Sequence, residues 1–581
     1  MKITNIHQLV TALLFKKTKF NMMFWLSLSI TVATVYGVQA ILPAFGHEYI
    51  IQDDARQHIF WMQRFVDPEL FPQDLITDYF QSISPPGYKA FYQALTLIGF
   101  QPFFLSKTLP ILLGVITTIY CFGVCLKILP LPVTGFIGTL LMNQGLWLAD
   151  DLISATSRAF LYPLFFAFTY YFLQRALLPC LISLAILGLF YPGFVLICVG
   201  ILILQIFKFD RGLPRFSQQR NDYLFCGLGL VVGLAVLLPY SLESSLFGSL
   251  ISVREARILP EFMPSGRMSF FRDDNPIRFW LSASRSGIRI SFNPPIVILG
   301  LFLPLLLRFK SRFPLAKQVR NHISILLHLV VVSLFLFFAA HILLFKLYLP
   351  SRFTVHSFKI VFALATAVVL TLILDAVLKN SSKQKLLTFG ATALIGVIIV
   401  FYPNLFWQNS FPRNSYIVGQ VPPLYQFFQQ QPKDTLIASL AGEATNIPSF
   451  SQRPILVSGE YAIAYHVGYY RQFRQRLADL IRAQYSSNLA DVQNLIQKYG
   501  VDFFLLEKGA FTAEYLQQDR WLRQYLSSKV PNDPITKITR NALEGLQQGK
   551  VPALSKVMQN CTAFETGNLV VLEAKCISQK S

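Results

Sequence analysis

Two adjacent carboxylates, Asp53 and Asp54, follow the first long apolar run, in His47-Glu48-Tyr49-Ile50-Ile51-Gln52-Asp53-Asp54-Ala55-Arg56-Gln57-His58. A carboxylate at such a place can act as general base on an acceptor hydroxyl. Two side by side can also hold a divalent cation, Mg or Mn, or raise each other's pKa. Either aspartate is also a good helix N-cap, and Asp54 and His58, at i and i+4, would share a helix face. Capping accounts for one acidic residue and leaves the second, and the aromatic-rich loop around them, without a reason.

Three further groups carry charge in apolar surroundings. Asp150 and Asp151 close one apolar run, and Arg158 opens the next, either as an anion ligand or as an internal ion-pair partner. Arg352, His356 and Lys359 are spaced i, i+4, i+7 on one helical face. Lys359 then lies roughly 10 Å deeper than Arg352 at 1.5 Å per residue. A cation at that depth needs a carboxylate, a water-filled cavity or an anionic ligand. No span interior supplies an obvious acid, so the stripe reads as a site for a lipid-linked phosphate. The third group is the stretch 241–294, which holds Arg254, Arg257, Arg267, Arg272, Arg278, Arg285 and Arg289 but no lysine. Arginine alone suits planar, bidentate recognition of phosphate or carboxylate. Internal pairing with Asp or Glu is the other reading. Within it, Arg267, Arg272, Asp273 and Asp274 sit in a turn that would face an acceptor and lead into an interfacial helix with Trp280.

These residues must be positioned by a membrane protein. Hydrophobic residues are 53% of the chain, charged residues 14%, and mean hydropathy is +0.47. Repeated apolar runs of about 20 residues mark a polytopic α-helical membrane protein in the bilayer. About eleven spans are expected, at 23–42, 102–129, 132–148, 159–174, 177–190, 193–207, 223–240, 295–308, 323–347, 354–378 and 386–403. The net charge of +21 is not a nucleic-acid footprint. Lys16, Lys17, Lys19, Lys127, Arg175, Lys208, Arg211, Arg308, Lys310, Arg312, Arg320, Lys379 and Lys383 all fall on one side if the N-terminus is cytoplasmic. The loops 44–101 and 241–294 and everything after the last span then lie outside, in a cell (plasma or inner) membrane. Residues 1–403 read as the transmembrane domain. Residues 404–581 alternate strand and helix, as in a small extracytoplasmic α/β domain without a Gly-rich phosphate loop. Cys561 and Cys576 flank a hairpin there and can pair outside the cytoplasm.

Together these features resemble the GT-C superfamily of membrane glycosyltransferases, which includes protein mannosyltransferases, oligosaccharyltransferase catalytic subunits and lipid A aminoarabinose transferases. The resemblance covers the whole chain in layout. In residues it covers Asp53-Asp54, more loosely Asp150-Asp151 and Arg158, and the basic residue at the head of a late span, Arg352. It implies inverting transfer of a sugar from a polyprenyl-phosphate-linked donor to an acceptor outside the cytoplasm. Asp54 would be the general base, with Asp53 beside it. Arg352 and His356, with Lys359 or Arg158, would hold the donor phosphate. The chain departs from the pattern in having no separated Asp-x-Asp in the first loop and no Trp-Trp-Asp near its C-terminus. The first leaves metal dependence open, and the second argues against transfer of an oligosaccharide to asparagine. Two alternatives stand beside this one: an O-antigen ligase or polymerase relying on the loop 241–294, and a transporter or flippase for lipid-linked sugars. The absence of internal repeats speaks against the last.

Overall fold

The computed structural model describes residues 11–210, 213–242, 246–380, 385–407 and 410–580. Arg211 and Lys383, two of the basic residues used above for orientation, lie outside them. Helices occupy the apolar stretches predicted from hydropathy: Lys19–Ile41, Pro102–Ile128, Pro132–Trp147, Leu161–Gln174, Leu177–Phe190, Val195–Ile206, Arg220–Leu242, Leu303–Arg308, Ser324–Ile342, Ser351–Asn380 and Lys385–Phe406. Among the described residues, five stretches have the length and apolar composition to cross a membrane unaided: Lys19–Phe45, Pro102–Ile128, Arg220–Tyr240, Asn321–Ile342 and Ser351–Lys379. The expected span 295–308 is mostly 3-10 helix, from Pro295 to Phe302, and turns α-helical only at Leu303. Pro304 lacks the N–H that would bond to a carbonyl one turn back, which disfavours an uninterrupted α-helix there.

The helix Ser351–Asn380 packs against Pro132–Trp147, Pro295–Arg308 and Ser324–Ile342, and Pro102–Ile128 packs against Lys19–Ile41, Pro132–Trp147 and Leu161–Gln174. Small polar side chains tie these helices across their buried faces. Thr134 Oγ1 donates to Thr371 Oγ1 at 3.0 Å, Thr139 Oγ1 to Ser29 Oγ at 2.9 Å and Asn143 Nδ2 to Thr118 Oγ1 at 2.8 Å. In apolar surroundings such bonds contribute about 0.6 kcal/mol on average, so packing carries most of the association.

Strand pairing joins distant parts of the chain. β1 (Ile50–Gln52) precedes the two aspartates; β2 (Phe207–Asp210) and β3 (Leu213–Phe216) form a separate two-stranded ribbon. β1 pairs antiparallel with β4 (Tyr416–Val418), Ile51 opposite Ile417. The bond from Asp53 N–H to the Ser415 carbonyl, 3.1 Å, continues this ribbon to the first carboxylate. Further on, β5 (Ile437–Ala438), β6 (Phe503–Glu507), β7 (Thr562–Thr566) and β8 (Leu569–Glu573) make one sheet in the order β5-β6-β8-β7. β5 and β6 are parallel; the other neighbours are antiparallel. Pro454–Ser458, which reads as a strand from its apolar, β-branched residues, makes only a single bridge, Ile455 to Ile437. Among the helices of this part of the chain are Val467–Tyr485, Leu489–Tyr499 and Pro534–Gln547. Cys561 and Cys576 form a disulfide around the β7–β8 hairpin.

Candidate active site

The loop after the first long helix supplies two carboxylates to a cavity of about 520 Å³. Asp53, Asp54, Arg267, Arg285, Arg352 and Glu460 all line it. They come from four parts of the chain: the first loop, the stretch 241–294, the head of helix Ser351–Asn380, and the segment after residue 458. The rest of the wall is largely aromatic, with Tyr79, Tyr88, Tyr191, Tyr348 and Tyr465.

The expectation that Asp53 or Asp54 caps a helix is not met. The helix after them, Ala55–His58, has only four residues, and Asp54 makes no side-chain capping bond. Gln52 takes that role: its Oε1 accepts from the backbone N–H groups of Asp54 and Ala55 at 2.8 and 3.2 Å. Both carboxylates are thereby released from backbone duty, and each faces a guanidinium instead. Asp53 pairs with Arg56 of its own short helix. Asp54 Oδ2 accepts from Arg158 Nη2 at 2.7 Å, and the same Nη2 reaches the Asp150 carbonyl at 3.0 Å. Of the two readings of Arg158, the geometry is that of an ion-pair partner. Its Nε is buried without a hydrogen bond.

Asp54 still sees the cavity, with 37% of its side chain exposed. Burial alone would raise its carboxyl. The positive charges of Arg158, Arg352 and Arg267 outweigh that and hold it below the ordinary carboxylate value. Asp54 is therefore a carboxylate fixed in orientation and kept ionised. Burial pushes His58 below its ordinary value, against the pull of Asp54, so its ring faces Asp54 as a neutral group near pH 7.

The basic stripe divides. Arg352 lines the cavity, and among the described residues no carboxylate pairs with its guanidinium. Lys359 has the partner that the sequence did not reveal: it bonds Asp151, with side chains 10% and 9% exposed. Asp151 lies just beyond its own helix and returns to meet Lys359, which is why it looked absent from the span interiors. His356 is 1% exposed; its Nδ1 is 2.7 Å from the Tyr162 hydroxyl and 4.0 Å from Asp151. Neither Lys359 nor His356 lines the cavity; with Asp151 and Tyr162 they form a separate buried cluster.

The Arg-rich stretch divides in the same way. Arg267 lines the cavity, bonding Glu460 at 2.7 Å and the Gly459 carbonyl at 3.2 Å. Gly266 makes its turn feasible, because a Cβ there would run into the Glu261 carbonyl. Arg285 also lines the cavity, and its Nη2 donates to the Arg267 carbonyl at 3.3 Å. Arg272, Asp273 and Asp274 do not line it. Asp273 instead pairs with Arg257 at 3.1 Å on the surface, and Arg257 covers the Phe271 ring at 4.4 Å. The turn points its middle away from the cavity and only its first arginine inward. The helix with Trp280 is present but short, Pro276–Leu281, capped by Asn275.

Glu460 has no mark in the sequence, and Arg285 stands there only as one of the seven arginines of 241–294. Glu460 also accepts from Gln57, which ties the acidic loop to this wall. No local pattern marks Ser458-Gly459-Glu460-Tyr461; only the pairing with Arg267, 193 residues away, gives Glu460 its place. Among the described residues no group of three or more His, Cys, Asp or Glu is arranged to hold a metal ion. Asp53 and Asp54 do not form a shared cation cradle here, since each is turned to its own arginine.

No protein-family model matches the chain, and no curated protein matches it in sequence. Solved structures do resemble it. The apo oligosaccharyltransferase of Archaeoglobus fulgidus overlays with a TM-score of 0.53 at 11% identity, over 86% of this chain and 72% of that one. The same enzyme, AglB, in complex with an inhibitory peptide and a dolichol-phosphate overlays at 0.51, with 11% identity, over 88% and 72%. ArnT from Cupriavidus metallidurans bound to undecaprenyl phosphate, at 0.34 and 12% identity over 96% and 99%, is too distant to bear on the fold. The chain has the fold of the Archaeoglobus fulgidus oligosaccharyltransferase.

Proposed function

We propose that this protein transfers a sugar from a polyprenyl-phosphate-linked donor to an acceptor on the outer side of a cell membrane. One observation carries the reading: Asp54, held ionised, shares a cavity with Arg352, a cation with no carboxylate in ion-pair contact among the described residues. A base and an anion site on one cavity are what glycosyl transfer from a lipid phosphate requires. Asp54 takes the proton of the acceptor hydroxyl as its oxygen attacks the anomeric carbon. The bond to the phosphate oxygen breaks, the configuration inverts, and the negative charge passes to the phosphate, where Arg352 and Arg285 stabilise it. Arg158 fixes Asp54 in place. Asp53, paired with Arg56, stands beside it as a second carboxylate.

In this reading the chain crosses the membrane eleven times with its N-terminus in the cytoplasm. The loops 44–101 and 241–294 and a C-terminal domain, 404–581, lie outside. The disulfide fits an oxidising compartment. That an archaeal relative in fold binds a dolichol-phosphate supports a lipid-linked donor. The ligase or polymerase reading draws support from Arg267 and Arg285, which line the same cavity, and it differs in dispensing with Asp54. Mass spectrometry of envelope glycans and lipid-linked sugars in a deletion strain tests the proposal. An accumulated lipid-linked sugar together with a truncated glycan is expected; unchanged profiles of both would refute it.

A further inference from the structure

The end of the helical bundle opposite the cavity carries a second charged feature. The helix Lys19–Ile41 leads from that end to the acidic loop, and the helix Pro102–Ile128 returns to it, 27 residues or about 40 Å at 1.5 Å per residue. There Lys17, Lys127 and Arg320 surround a groove of about 320 Å³ whose floor includes Met22, Leu126 and Tyr170.

The three cations come from separate segments that the fold draws together. Lys17 precedes the first long helix, and its Nζ donates to Gln318 Oε1 at 3.1 Å. Lys127 is in the last turn of its helix, 5.6 Å above the Tyr170 ring centroid. Arg320 lies ahead of the helix Ser324–Ile342, and its backbone N–H donates to the Ile128 carbonyl at 2.9 Å, which fixes its loop to the end of the Lys127 helix. Among the described residues no carboxylate pairs with any of them, whereas Arg56, Arg158, Lys359 and Arg474 all have acidic partners. Like charges gathered without an acid call for an anion.

The apolar side of the groove says which kind. Met22 on the adjoining helix, 42% exposed, and Leu126 next to Lys127 form an apolar flank of the groove. Cations at the rim with an apolar helix flank directly below match an amphiphile with a phosphate head and hydrocarbon tails. A soluble anion would gain nothing from that flank. Basic pockets between helix ends are recognised sites for acidic lipid headgroups.

We propose that this groove binds the phosphate headgroup of an anionic phospholipid, with the start of its acyl chains against Met22 and Leu126. The site is independent of the catalytic reading, since none of its residues lines the cavity.

The test is retention of lipid by the full-length protein, purified from phosphatidylglycerol/phosphatidylcholine nanodiscs and measured by native mass spectrometry. Wild type is expected to retain phosphatidylglycerol in preference to phosphatidylcholine. At roughly a fivefold effect per surface charge, the double variant Lys127→Gln/Arg320→Gln should lower that affinity about thirtyfold. Arg320 is exposed, so Arg320→Gln alone keeps the test open if the double variant misfolds, with a loss of about fivefold expected. Millimolar inorganic phosphate should not displace the lipid. Equal retention of the two lipids by wild type, undiminished retention by Arg320→Gln, or displacement by inorganic phosphate would each overturn the proposal, the last by making this a site for a free anion.

Discussion

Replacing Lys359 with methionine should cost stability and leave donor affinity unchanged. Lys359 and Asp151 are 10% and 9% exposed, and among the described residues Lys359 is the one lysine or arginine within ion-pair distance of Asp151. His356 is 4.0 Å away, but its Nδ1 is already engaged by the Tyr162 hydroxyl at 2.7 Å. Lys359→Met therefore strands a buried carboxylate, and losing one partner of a buried pair costs about 3–5 kcal/mol. Removing both charges, Asp151→Asn with Lys359→Met, should restore most of the loss, because the penalty lies in the stranded charge and not in the missing bond. The assay is the folded fraction remaining after heating in nanodiscs, read by fluorescence-detected size exclusion, beside the dissociation constant for a polyprenyl-phosphate sugar. Lys359→Met that resists heat like wild type but binds donor more weakly would refute the reasoning and return Lys359 to the phosphate.

Arg352→Ala should weaken donor binding by about tenfold to a hundredfold, the loss of a charge-assisted contact of roughly 1.5–3 kcal/mol, and Arg352→Lys by less; equilibrium binding in nanodiscs checks both. The pH dependence follows from Asp54, whose carboxyl is held below its ordinary value. A depressed pKa means that the ionised form persists, and its stabilising pair with Arg158 is lost only as pH falls through the folded-state value. The acidic limb of the pH–rate profile should thus lie below the ordinary carboxylate range. In Arg158→Gln burial acts with less opposition, so that limb should move to higher pH; an unmoved limb would separate Asp54 from the rate. A reporter active only outside the cytoplasm should be active after Ser581 and silent near Arg312, and the reverse pattern would invert the orientation.

Much of the layout was legible because hydropathy is a local property. The stretches of helix, the acidic loop after the first of them and the break in composition near residue 404 can all be read without knowing any contact. The cavity was half legible. Asp53, Asp54, Arg267 and Arg352 stood out as charges in unusual surroundings. Their partners did not, since these join residues far apart in the chain: Asp54 with Arg158, Asp151 with Lys359, Arg267 with Glu460. Lys359 shows the failure most plainly. A deep cation does need a partner, but the acid that supplies it folds back from just outside a span. The capping expectation failed for a local reason. Gln52, at the end of β1, reaches the same N–H groups first, and strand pairing with β4 holds it there. A strand of three residues paired with one more than 360 residues later has no signature in sequence.

The central claim is that Asp54 is the base on the acceptor hydroxyl. Sugar transfer by the purified Asp54→Asn protein, with donor binding measured on the same sample, tests it most directly. Asparagine keeps the shape and a hydrogen bond to Arg158 but cannot take a proton, so transfer should fall by about 10²–10⁴ while the protein stays folded and binds donor. Asp53→Asn should have a weaker effect. Transfer by Asp54→Asn at the wild-type rate would contradict the account and remove Asp54 from the chemistry.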